Sequence, residues 1–341
     1  MKNLQKILVK NTVLQSCATL KNINVFYEVF GQPIGNAPVV VVNHALTGNS
    51  TVSGKNGWWN NLIGENKVID TNLYTIIAIN IPGNGYDNDS YEFIENYKDY
   101  CVFDIAKLFW KTLFELQINV IFAIIGGSLG GAIAWEMAKQ ETNRIKHLIP
   151  IATHYVATDW VLANVFLQDK ILNNSNNPIA DARIHAMMLY RTPQSLTQKF
   201  SRKKQQNTQL FQVENWLVSH GQKLENRFTL SAYKLMNHLL RTIEIAHNEK
   251  ELVQIFSDCT TKFHLVSVDS DAFFLANDSR ETFEILRDNN FDVSHHEIKS
   301  IHGHDAFLIE YEQLNNILLP IFKKECLSNS FVLNEKQIVL S

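Results

Sequence analysis

The chain has 341 residues, 45% of them hydrophobic and 19% charged, with 20 Phe, 14 Gly and 7 Pro. That is enough apolar material for one large core or two ordinary ones, and too little Pro and Gly for a disordered or fibrous protein. With 31 basic and 34 acidic residues the formal net charge is −3, which excludes the basic footprint of a nucleic-acid binder and points to small-molecule partners.

The first ten residues run Met1-Lys-Asn-Leu-Gln-Lys-Ile-Leu-Val-Lys10, and lysine and polar residues break the apolar stretch that a secretory signal needs. No run reaches the roughly 18 apolar residues of a membrane span. Cys17, Cys101, Cys259 and Cys326 lie far apart without a C-x-x-C pair. Neither a metal site nor a disulfide framework is therefore predicted, and free thiols in a cytoplasmic protein are.

Short apolar, β-branched runs predict strands at 24–30, 38–43, 73–80, 119–125, 147–152, 262–268 and 296–301. Helical patterns at 102–116 and 132–140 fall between them, so the predicted class is α/β, a mostly parallel central sheet flanked by helices. Val39-Val-Val-Val42 and Ile121-Phe-Ala-Ile-Ile125 are apolar without alternation, as strands covered on both faces are. The alternation then stops. Residues 159–252 read as helical, at 160–172, 179–189, 195–200, 209–221 and 228–238, and predict a helical lid over the carboxyl edge of the sheet. The predicted organisation is a core of 1–158 and 253–327, a lid of 159–252 and a tail of 328–341.

One pentapeptide stands out. Gly126-Gly-Ser-Leu-Gly130 sits between the 119–125 strand and the 132–140 helix, the strand–turn–helix context in which G-x-S-x-G holds a nucleophile. Glycines at 126 and 130 remove Cβ atoms that would crowd a tight turn, and Gly131 lets the helix approach the strand. Ser128 is the candidate nucleophile, its hydroxyl expected to project above the sheet.

A serine hydroxyl needs a base in reach, and the base an orienting carboxylate. With this elbow the chain order is Ser, then Asp or Glu, then His. Asp269-Ser-Asp271 follows the 262–268 strand, and His302-Gly-His304-Asp305 follows the 296–301 strand. Spacing leaves Asp269 or Asp271 as the acid and His302 or His304 as the base. An oxyanion hole calls for the backbone N–H of Leu129 and a second donor from the loop after an early strand. His44-Ala-Leu-Thr-Gly48 is that loop, and Leu46 its candidate donor.

Taken together, His44-Ala-Leu-Thr-Gly48, Gly57-Trp-Trp59, Ile63-Gly64 with Ile69-Asp-Thr71, Gly126-Gly-Ser-Leu-Gly-Gly131 and Gly303-His-Asp-Ala-Phe-Leu308 resemble the homoserine O-acyltransferases of the α/β-hydrolase fold, in family order over about 20–325. The resemblance implies a ping-pong transfer of an acetyl group from acetyl-CoA, as substrate rather than resident cofactor, to the hydroxyl of L-homoserine for methionine synthesis. It maps the acid onto Asp271 and the base onto His304. Asp305 matches the position that binds the acceptor's ammonium, and Arg183 with Tyr190 the residues that hold its carboxylate. A planar guanidinium suits a carboxylate through paired donors, and residues seven apart share a helix face. The resemblance also implies a homodimer joined through the lid, with Trp160 and Phe166 as candidates for its interface.

The chain departs from the family where Asn80-Ile-Pro-Gly-Asn-Gly-Tyr-Asp-Asn-Asp89 replaces the usual Gly-Ser-Thr-Gly-Pro stretch, in Ala132-Ile-Ala-Trp-Glu136 after the nucleophile, and in the lid. These departures leave succinyl-CoA as donor, L-serine as acceptor, or an esterase with the same triad as alternatives.

Overall fold

The computed structural model describes residues 4–86, 96–206 and 209–323. The predicted 328–341 tail, Cys326 and residues 87–89 of the departing loop lie outside the described residues. An antiparallel pair, β1 (Gln5–Val13) and β2 (Thr19–Gly31), leads into β3 (Val39–Asn43), a short parallel pair β4 (Ile63–Gly64) and β5 (Ile69–Asp70), and then β6 (Thr75–Ile79). Next come α1 (Val102–Glu115), β7 (Ile121–Gly127), α2 (Leu129–Gln140) and β8 (Ile145–Ile151). A run of helices follows, α3 (Asp159–Asn174), α4 (Pro178–Tyr190), α5 (Pro193–Phe200), α6 (Gln212–Glu225), α7 (Leu230–Arg241) and α8 (Glu249–Phe256). The chain closes with β9 (Lys262–Val268), α9 (Ala276–Asp288), β10 (Val293–Ile298) and α10 (Tyr311–Phe322).

The main sheet is ordered β1-β2-β6-β3-β7-β8-β9-β10. From β6 to β10 every neighbouring pair is parallel, and β1 and β2 add an antiparallel edge. Strand β3 shows why the sheet needs two covers. Val41 packs with Trp110 and Trp135 of α1 and α2, while Val40 and Val42 pack with Trp59, Phe307 and Phe322 on the other face. All four valines are buried, because side chains alternate across a pleat and here both faces are dry.

Two differences from the sequence reading have local causes. Strand β1 was not predicted. It is an edge strand with most side chains in solvent, and Lys6, Lys10, Asn11 and Thr12 leave only Ile7-Leu8-Val9 as an apolar stretch. Strand β10 ends at Ile298, three residues before the expected end. Past the last paired residue, Asp269 Oδ1 accepts the Ser300 N–H at 3.0 Å and turns the chain out of the sheet.

Helices α3 to α7 lie between β8 and the return to the sheet. The chain enters and leaves this region side by side, with Ala157 N donating to Ile243 O at 2.8 Å and Ile245 N to Tyr155 O at 2.9 Å. The expected lid boundary at 252 falls within α8. Local sequence starts these helices: Thr158, Thr192 and Thr229 each cap a first turn through a side-chain oxygen, and Pro178 and Pro193 occupy first-turn positions where no N–H is missed. Helix α3 packs on α7 and α4, and α4 packs on α6 and on the 3-10 turn Gly303–Leu308. Trp160 of α3 donates its indole N–H to the Ala272 carbonyl at 2.7 Å, which ties the first lid helix to the loop after β9.

Candidate active site

Between β7 and α2, Ser128 has φ 56° and ψ −125°, a backbone conformation that L-residues adopt only when their surroundings impose it. Its N–H donates to Ile151 O at 2.8 Å, and the Gly131 and Ala132 N–H groups both return to its carbonyl. The turn closes because glycines let backbones touch. A Cβ on Gly126 would lie 2.4 Å from the Gly130 carbonyl, and one on Gly130 would lie 2.3 Å from the Asn43 carbonyl oxygen. Ser128 is only 5% exposed, so the hydroxyl expected above the sheet is covered. Among the described residues its Oγ makes no hydrogen bond.

The loops after β9 and β10 meet. Asp271 is buried, and its Oδ1 accepts the N–H groups of Phe273 at 2.7 Å and Phe274 at 3.0 Å. Its Oδ2 lies 2.7 Å from His304 Nδ1. An ionised carboxylate only accepts, so Nδ1 carries the proton and Nε2 presents a lone pair. The imidazole is walled by the rings of Tyr190, Phe273, Phe274 and Phe307, with centroids 5.3 to 5.8 Å away. Phe307 also presses on the elbow, since a Cβ on Gly127 would come within 2.5 Å of its ring. One phenyl group therefore spaces the imidazole from the serine turn. The members of the two sequence alternatives part company. Asp269 accepts from Ser300 and faces Lys299 at 3.9 Å, while His302 lies with Arg191 and Ser195.

Leu46 and Leu129 are both buried, and among the described residues neither backbone N–H donates to a protein acceptor. Leu129 is also the first residue of α2, where the helix dipole favours negative charge. Behind Leu46, His44 is fully buried. Its Nδ1 lies 2.8 Å from the Ala45 carbonyl and its Nε2 accepts the Ile81 N–H at 3.0 Å. These partners require a neutral ring, and burial lowers the His44 pKa to about 4. Sequence reasoning missed this support. It continues through Asn84 and Asn80 to Ser50, whose hydroxyl donates to the buried Glu28 carboxylate at 2.6 Å. Glu28 sits in a strand and Ser50 in a loop, and nothing in their spacing brings them together.

In the lid, the Arg183 guanidinium lies 5.6 Å from the centre of the Tyr190 ring, and among the described residues it makes no hydrogen bond or ion pair. Asp181, an alternative partner for it, is instead bonded to Ser175. The far side of the chain of contacts is the base, because the Tyr190 ring packs at a tilt against His304. Asp305, next to the base, has its pKa raised by burial and drawn back by Arg183, His304 and Arg191. Leu46, Tyr190, Tyr233 and Phe273 line one cleft. A separate cavity of about 210 Å³ opens between Thr47–Gly48–Asn49, Asn84–Gly85–Tyr86 and Asn226–Arg227–Phe228. Arg202 and Lys204 flank the Phe211 ring. Among the described residues no cluster of His, Cys, Asp and Glu fits a metal ion.

Residues 38–203 match the family model of the α/β-hydrolase fold. The chain is 30% identical to a homoserine O-acetyltransferase of Methanococcus vannielii, over 96% of this chain and 74% of that one. It is also 30% identical to a homoserine O-succinyltransferase of Nitrosomonas europaea, over 90% of this chain and 94% of that one. Among solved structures, a homoserine O-acetyltransferase from Bacillus anthracis superposes with a TM-score of 0.83 at 17% identity, covering 94% of this chain and 97% of that one. Esterase E22 superposes with a TM-score of 0.82 at 16% identity, covering 94% and 99%. At that identity the structural likenesses speak for the fold.

Proposed function

Because the chain belongs to the homoserine O-acyltransferase family, we propose that it moves an acetyl group from acetyl-CoA to the hydroxyl of L-homoserine through an acyl-Ser128. His304 Nε2 takes the proton of Ser128 Oγ as the oxygen adds to the thioester carbonyl, and Asp271 keeps the imidazole in the tautomer this requires. Ser128 Oγ and His304 Nε2 are not hydrogen-bonded in this structure, and the bond between them forms when substrate is bound. The oxyanion of the tetrahedral intermediate receives the N–H groups of Leu46 and Leu129. Its collapse expels the CoA thiolate, which leaves with the proton held by His304. In the second half His304 deprotonates the homoserine hydroxyl, which attacks the acyl-serine and releases O-acetyl-L-homoserine, a precursor for methionine, and free Ser128.

The observation that carries this reading is the pair of opposite charges beside the base. Asp305 follows His304 directly, and Arg183, unengaged among the described residues, lies over the Tyr190 ring that packs against His304. An esterase acting on water has no use for such a pair, whereas an amino-acid acceptor brings an ammonium and a carboxylate. The cavity beside Thr47 and Arg227 serves as the entry for the acyl-CoA. The Nitrosomonas europaea relative favours one second reading, succinyl-CoA as donor.

Thiol release from acetyl-CoA and from succinyl-CoA, each with L-homoserine, L-serine or no acceptor, tests all of this. The expected result is fast release only with acetyl-CoA and homoserine together. Acceptor-independent release would make the protein a hydrolase. The reaction is placed in the cytoplasm, consistent with the free thiols of Cys17, Cys101 and Cys259. The acting unit is a homodimer joined through α3, whose Trp160, Phe166 and Leu167 are 46%, 59% and 46% exposed. Light scattering on the purified chain should give twice the chain mass, and a monomer would remove the dimer from this reading.

A further inference from the structure

Arg183 and Arg191 stand near one another in the lid and are used differently. Among the described residues Arg183 has its donors free, as a ligand for a substrate carboxylate must. Arg191 is 11% exposed at its side chain, and its Nε and Nη2 donors are engaged within the protein. Its Nε and Nη2 donate to Ser195 Oγ at 3.2 and 2.6 Å, Nη2 also reaches His302 Nδ1 at 3.0 Å, and Nη1 lies 4.0 Å from Asp305 Oδ2. A guanidinium can only donate, so His302 Nδ1 accepts and that ring is held by the lid.

Other bonds run along the same seam. Thr192 Oγ1 donates to the Ile301 carbonyl, and on the core side the Gly303 N–H donates to Ser270 Oγ of the loop after β9 at 3.1 Å. Gly303 has φ +69°, and a Cβ there would meet the Tyr190 carbonyl at 2.9 Å. The end of α4 is thus closed directly onto residues 301–305, which carry both His304 and Asp305.

We propose that Arg191 is a positioning residue for the acceptor: anchored on Ser195 and His302, it holds the Asp305 carboxylate where the acceptor's ammonium arrives, while Arg183 takes the acceptor's carboxylate. This rests on the acceptor assigned under the proposed function. Of the two groups Arg191 holds in this loop, His302 and Asp305, only Asp305 meets the substrate, so the effect of Arg191 belongs to the second half of the reaction.

The test compares Arg191→Met and Arg191→Lys with the wild-type enzyme in two assays, the burst of CoA release from acetyl-CoA alone and steady-state transfer with L-homoserine varied. Arg191→Met should raise the homoserine KM about tenfold, against a change below about threefold in the burst rate, with Arg191→Lys in between. In an Asp305→Asn background the same substitution should add less than about twofold, because the group it positions is no longer charged. Parallel losses in both assays would overturn the proposal and leave Arg191 a structural residue. Full additivity with Asp305→Asn would overturn it too, by making Arg191 an acceptor ligand in its own right. If Arg191→Met fails to fold, Ser195→Ala removes the anchor and keeps the guanidinium, and an unchanged homoserine KM there would count equally against the proposal. A wild-type enzyme whose thiol release ignores homoserine would sink the proposed function itself, whereas a responsive wild type with unresponsive variants sinks only the role of Arg191.

Discussion

Ser128 combines an unfavourable backbone with a reactive side chain. At φ 56° and ψ −125° a non-glycine residue costs about 1–3 kcal/mol, held in place by the bonds of β8 and α2 around it. Ser128→Ala should stop acyl transfer, lowering kcat by about a thousandfold or more while leaving the melting temperature near wild type. Ser128→Gly should be equally inactive and more stable than Ser128→Ala by about 1 kcal/mol in urea unfolding, because glycine tolerates the same dihedrals. Equal stability of the two would mean that the turn is not strained. Arg183 is the second test at this scale. Arg183→Ala removes both the carboxylate ligand and a cation that favours ionised Asp305, whose pKa burial already raises. Homoserine KM should rise about tenfold or more, most steeply at the acid end of the range, with acetyl-CoA KM little changed. An unchanged homoserine KM would take Arg183 out of the site.

At the scale of elements, the site depends on four loops that leave the same edge of the sheet after β3, β7, β9 and β10. The crossing of β3 and α2 is the tightest point. A Cβ on Gly130 would lie 2.3 Å from the Asn43 carbonyl oxygen, which belongs to a buried central strand and has no room to yield. Gly130→Ala should cost about 3 kcal/mol, read as a lower urea midpoint, and should displace Leu129 from the oxyanion position. Unaltered stability would show that β3 and α2 can separate. The elements differ in how plainly their sequences declare them. Strands such as β3 and β6 are buried on both faces and read as nearly unbroken apolar runs, whereas β1 lies at an edge with most of its side chains in solvent and has no such signature.

Across the molecule, stability is linked to pH through buried imidazoles. His44 has a pKa near 4 when folded and near 6.5 when exposed. Between those values the unfolded chain binds a proton that the folded chain excludes, so stability falls as pH drops from 6.5 to 4, by on the order of 3 kcal/mol from this residue. His264, also held near 4 chiefly by burial, acts in the same direction. Urea midpoints measured from pH 7 to pH 4 should decline through this window, and the His44 ring signal should not titrate above pH 5. A flat profile, or a His44 titrating near 6.5, would mean that the oxyanion loop opens readily. The lid and the core act as one body in this respect, since Trp160, Thr192 and Arg191 bond lid helices to the loops that bear Asp271 and His304.

The sequence by itself determined the alternation of strands and helices, the elbow around Ser128, and the order Ser, Asp, His, because each is written in neighbouring residues or in local periodicity. It also marked Arg183, Tyr190 and Asp305 through their likeness to a family pattern. Spacing left Asp269 or Asp271 and His302 or His304 open and the family likeness chose among them, but only the tertiary structure brings Asp271 onto His304 and turns Asp269 and His302 to other partners, since both members of each pair follow the same strand and differ only in what they meet across the fold. The polar network from His44 to Glu28 and the engagement of Arg191 with His302 and Ser195 were equally invisible, because their members are brought together by sheet order and lid docking rather than by spacing along the chain.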